Sequence, residues 1–93
     1  MGNVYYEEIA GILRGLLVRL DDRLASESVT LASELIDVNE LGLALEFVAD
    51  WLAEEELPVS SDERADMLAL AARMQMGDRV PTTLSLCPER SYG

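Results

Sequence analysis

The chain has 93 residues, 49% of them apolar, with no histidine, no lysine, one cysteine and a formal net charge of −11. That inventory excludes histidine acid–base catalysis, Cys–His zinc sites and an internal disulfide, and it suits one small domain with a single core. No apolar run approaches the roughly twenty residues of a membrane-spanning helix, and no basic segment precedes the first apolar one, so the expectation is a cytoplasmic protein with no membrane partner.

The first periodic segment runs from Tyr5 to Leu24. Ile9, Ile12, Leu13, Leu16, Leu17, Leu20 and Leu24 repeat at three and four, which predicts an amphipathic helix with one broad apolar face. Gly11 and Gly15 each cost about 1 kcal/mol relative to alanine inside a helix, and their spacing would let another helix approach closely. Ser26 and Ser28 compete to cap a second helix through Val38, with Val29, Leu31, Ala32, Leu35 and Ile36 on its buried side. Asn39 is the expected break.

A third helix is predicted over Glu40 to Glu55, with Leu41, Ala44, Leu45, Val48 and Leu52 as its inner stripe. Leu57-Pro58 ends it, because a residue before proline avoids the helical region. Ser60 and Glu63 have capping-box spacing and open a fourth helix. Its apolar residues are Ala65, Leu68, Ala69, Ala72 and Met76, widened by Met67, Leu70, Ala71 and Met74. Apolarity on so many sides predicts a central helix, stopped by Gly77 with Val80 packing back. Residues 81–93 carry two prolines and no period, so an irregular tail is expected, with Leu84, Leu86 and Cys87 folding onto the bundle. Short connections favour antiparallel neighbours. The expected architecture is therefore all-α: a compact antiparallel four-helix bundle in one domain with an irregular C-terminal tail.

The charge is not spread evenly. Leu24 to Glu63 contains eleven carboxylates and no basic residue, while outside that stretch seven acids meet seven arginines. A one-sided negative field repels nucleic acid and steers basic partners into contact. At about 100° per residue, Glu46, Asp50 and Glu54 stack opposite the inner stripe of the third helix. Like charges so spaced destabilise a helix by roughly 0.2–0.5 kcal/mol per pair, and no neighbouring base relieves them. Leu43 lies inside this ridge, Phe47 at its border and Trp51 farther round, an arrangement resembling an apolar hot spot with a charged rim. Placing Phe47 and Trp51 in the core is the competing reading. The expected partner-binding residues are Glu34, Asp37, Glu40, Leu43, Glu46, Phe47, Asp50, Trp51 and Glu54.

Catalysis is not expected. Glu34 with Asp37, and Glu46 with Asp50, can each share a helix face, but nothing places either pair in the apolar surroundings that tune a carboxylate for acid–base work. Glu-x-x-His and EF-hand patterns are absent, so neither a metal nor another cofactor is expected.

From Leu41 to Asp78 the run LGLALEFVADWLAEEELPVSSDERADMLALAARMQMGD resembles small acidic immunity proteins of bacterial polymorphic-toxin systems, especially the MafI-like group. The resemblance rests on Gly42 with Ala44-Leu45-Glu46, then the acids and Leu57-Pro58, then a helix containing Glu63 and ending in Met76-Gly77. It implies a helical cytoplasmic protein that binds and blocks a cognate toxin domain, and it transfers no contact residue. A basic partner, for example a nuclease with a phosphate-binding cleft, agrees with the charge argument. Two alternatives stay open: a helical adaptor or antitoxin-like regulator that binds a partner helix, and a DNA-mimic inhibitor. The apolar fourth helix and the Gly11/Gly15 pair also leave a homodimer open.

Overall fold

The computed structural model describes residues 4–89. Five helices follow in order: α1 (Val4–Leu20), α2 (Ser26–Asp37), α3 (Leu41–Glu54), α4 (Ser61–Arg73) and α5 (Arg79–Leu84). The protein is all-α, and the described residues contain no strand beyond an isolated parallel bridge between Val59 and Glu89. Expected irregularity over 90–93 lies outside the described residues.

The central helix is α3, not α4. It packs against each of the other four helices. Leu41, Ala44, Leu45, Val48, Ala49 and Leu52 are buried along it, and its outer pole is left to Leu43 and Glu54. In α4 the side that faces inward carries Glu63, Met67, Leu70 and Ala71, while Ala65, Ala69 and Ala72 are exposed. Burying methionine and leucine removes more apolar area from water than burying alanine, so the larger residues decide the inward face. In α1 the expected stripe is buried except Ile12, and in α2 Leu31 is exposed rather than internal.

Helix α4 begins as its sequence predicts. The Glu63 amide donates to Ser60 Oγ at 3.1 Å, and the Ser60 amide donates to Glu63 Oε1 at 2.9 Å. By contrast, α2 is preceded by Ala25 and has no side-chain cap.

Three helices stop in the same way, each on a non-glycine residue with positive φ: Asn39 (65°), Glu56 (52°) and Gln75 (55°). In each case the left-handed residue and its successor donate to carbonyls of the last helical turn, as Gln75 does to Ala72 and Met76 to Ala71. This is the Schellman arrangement, which satisfies carbonyls that the helix itself leaves unpaired. Gly77 does not stop α4; with a φ of 70° it lies farther on, in the turn to α5.

The tail is also more ordered than expected. Residues Arg79–Leu84 form α5, which buries Val80 and Leu84. Pro81 does not prevent this, because a proline in the first helical turn forfeits an amide that has no intrahelical acceptor. The Arg64 guanidinium donates to the carbonyls of Leu84 and Cys87, and the Val59 amide donates to the Pro88 carbonyl at 3.0 Å. Together these bonds fasten the chain beyond α4 to the bundle. Cys87 is buried, as expected, but Leu86 is 68% exposed.

Candidate partner-binding face

Helices α2 and α3 carry all the sequence-predicted site residues except Glu40, which lies between them as the N-cap of α3. Glu34 is exposed on α2. Asp37, at the end of α2, accepts a hydrogen bond from Arg14 of α1. Glu40 is exposed, and its carbonyl receives the Ala44 amide at 3.0 Å. On α3, Leu43 and Glu54 are exposed, whereas Glu46, Phe47, Asp50 and Trp51 are half-buried.

Phe47 and Trp51 are both half-buried, neither enclosed in the core nor fully exposed. Phe47 and Trp51 are stacked, with ring centroids 5.7 Å apart and planes 16° from parallel. Trp51 packs against the buried core and still reaches the surface.

The acidic ridge is not unrelieved. Arg79, at the start of α5, donates to Asp50 Oδ2 at 2.8 Å, and its Nε lies 3.8 Å from Glu46 Oε2. The repulsion between Glu46 and Asp50 is therefore offset within the molecule. No spacing rule within α3 could find this cation, since it comes from a separate helix.

The same pattern extends to all the described arginines. Arg14 pairs with Asp37, Arg19 with Asp66, Arg23 with Asp22 and Glu63, Arg73 with Glu8, and Arg79 with Asp50. Arg64 is held by backbone carbonyls. Glu34, Glu40, Glu54, Glu55, Glu56 and Asp62 are exposed and have no ion pair among the described residues. The surplus charge thus remains on the surface of the stretch that the sequence singles out.

Three concave features border this stretch, one of them a hollow of about 220 Å³ between α1 and α2 lined in part by Leu17, Val18 and Val29. A cleft of about 240 Å³ between α3 and α5 is lined by Asp50, Ala53, Glu54, Thr83 and Leu86. The sequence indicates that Val80, Leu84 and Leu86 return to the bundle, but not that they do so as a helix, nor that Arg79 reaches Asp50 of this cleft. The i,i+4 pair Val80 and Leu84 is the one signal that could have revealed the helix. A larger groove of about 500 Å³ runs between the start of α1, the α2–α3 turn and the end of α4. Tyr5, Leu41, Arg73, Met74 and Met76 help to line it, and none of its lining residues is acidic. The Arg73 guanidinium lies over the Tyr5 ring, 5.4 Å from its centroid, and pairs with Glu8 at 2.8 Å.

Among the described residues, no group of three or more acidic, cysteine or histidine side chains is placed to hold a metal ion. No helix there is long and apolar enough to cross a membrane. The Cys87 thiol is pushed upward in pKa by burial, with Arg64 partly opposing the shift. The chain matches no family model, no curated protein and no solved structure.

Proposed function

We propose that this chain is an immunity protein that acts in the cytoplasm, binding a basic toxin domain and neutralising it through its acidic helical surface. One observation carries the reading: each described arginine is engaged within the molecule, while the carboxylates of α2, α3 and the following loop include a large unpaired set. A surface so biased accelerates encounter with a cationic protein and disfavours nucleic acid. The resemblance of residues 41–78 to MafI-like immunity proteins supports the same reading. A nuclease suits the role of partner, because a phosphate-binding cleft is itself basic.

The test is protection. If a large secreted protein with a variable C-terminal domain is encoded beside this chain's gene, that domain is expressed in a bacterial host, alone and with this chain; a gene neighbourhood without such a protein overturns the proposal. Growth arrest by the domain alone, relieved by co-expression and lost again with E34K/E40K/E54K, supports the proposal. Continued arrest in the presence of soluble, folded chain overturns it.

The acid-free groove favours a second reading, a helical adaptor or antitoxin-like regulator that takes the apolar face of a partner helix. Such binding would tolerate high salt and fail on truncation of Met74 and Met76, whereas an acidic interface would respond to salt first.

A further inference from the structure

We infer that the cleft between α3 and α5 is the receptor for one arginine side chain of the protein partner. This inference rests on the acidic-interface reading above and assigns it a specific pocket. The cleft holds about 240 Å³, below the roughly 300–1,000 Å³ of small-molecule sites and suited to a single long side chain. Its lining has two chemistries. Ala53 and Leu86 offer aliphatic wall for a methylene stem, and Asp50 and Glu54, one helical turn apart, offer carboxylates for a cationic head.

The charge is complementary to a guanidinium in particular. The chain's own Arg79 donates to Asp50 at 2.8 Å from the α5 side, so this ridge already accepts that group. Glu54 has no ion pair among the described residues and is exposed. Leu86 is 68% exposed beside it, an aliphatic side chain that its own helix bundle leaves uncovered. An incoming arginine would lay its stem on Leu86, pair with Glu54 and compete with Arg79 for Asp50. Its planar fork suits two carboxylates better than the point charge of lysine does.

The probe is N-acetyl-arginine methylamide, with the matching citrulline compound as its uncharged isostere, titrated into the full chain and followed by amide NMR. Saturable shifts at Ala53, Glu54, Thr83 and Leu86 with arginine, and none with citrulline, are the expected result. E54Q and L86S, both at exposed positions, should each weaken the response by about two- to fivefold. R79Q should strengthen it, and R19Q, which changes the net charge equally at a distant site, should do so less. Equal effects of R79Q and R19Q, or shifts spread evenly over Glu34, Glu40 and Asp62, would overturn the cleft assignment. The two readings fail separately. Toxin protection that survives E54Q/L86S removes the cleft and leaves the immunity reading standing. Arginine binding by a chain that protects against no toxin does the reverse.

Discussion

Arg23 and Glu63 form a two-pronged ion pair between the turn after α1 and the first turn of α4, with both N–O distances at 2.7 Å. Their side chains are only 8% and 5% exposed. Arg23 also donates to the carbonyls of Arg19 and Pro58, and Glu63 also accepts the Ser60 amide. One carboxylate thus completes the α4 capping box and anchors the turn after α1. Removing Arg23 would leave Glu63 buried without its countercharge.

R23M is therefore expected to destabilise the fold by about 3–5 kcal/mol, the usual cost of breaking a buried pair from one side. R23M/E63Q, which removes both charges, should be more stable than R23M alone. Urea unfolding of wild type, R23M, E63Q and the double variant measures the difference, and additive losses would contradict the pairing.

The same pair sets an acid limit. The Arg23 guanidinium, aided by the Ser60 amide and opposed by burial, lowers the Glu63 carboxyl from the usual 4.5 to about 2. A depressed carboxylate stabilises the fold above its unfolded pKa and loses that contribution as pH falls toward its folded value. The contribution, at most about 3 kcal/mol, should disappear between about pH 4.5 and pH 2. Protonating the many surface acids relieves repulsion over the same range, so the quantity to follow is the stability of wild type minus that of E63Q. That difference should shrink on acidification, and a constant difference would contradict the assignment.

Glycine replacements at the helix stops test the backbone. Non-glycine residues in the left-handed region cost roughly 1–2 kcal/mol, partly offset by the extra unfolded-state freedom of glycine. E56G and Q75G are each expected to raise stability by about 0.5–1 kcal/mol, read as an increase in thermal midpoint. Destabilisation of both would show that φ at these sites is not positive in solution.

What was legible in the sequence follows from the range of the interactions. The Ser60–Glu63 cap, the Asn39 break and the α3 stripe depend on neighbours within a turn, and spacing revealed each of them. Composition favours Gly77 as the left-handed stop of α4, while Gln75 occupies that position. The alanines of α4 do not mark its inner face, because alanine is equally at home inside and outside a helix bundle: Ala71 is buried while Ala65, Ala69 and Ala72 are exposed. At the candidate site the acidic residues were legible as a run, but their partners were not. Arg14 reaches Asp37 from α1 and Arg79 reaches Asp50 from α5, contacts that exist only after the helices pack.

Arg64 should govern the order of α5. R64A removes the donors to the Leu84 and Cys87 carbonyls, at a cost of about 1.5–3 kcal/mol for hydrogen bonds to a charged group. Amide exchange over residues 79–89 should rise more than in α1, and the buried Cys87 thiol should react faster with a thiol reagent. Unchanged labelling would mean that Arg64 does not hold this segment.

The acidic-interface account is tested most directly by the rate at which the cognate toxin domain associates with this chain, measured by stopped flow from about 0.05 M to 0.5 M salt, where the screening length falls severalfold. The account predicts a fall in association rate of about tenfold or more, reduced in E34K/E40K/E54K, with dissociation changing much less. An association rate indifferent to salt and to these reversals would contradict it.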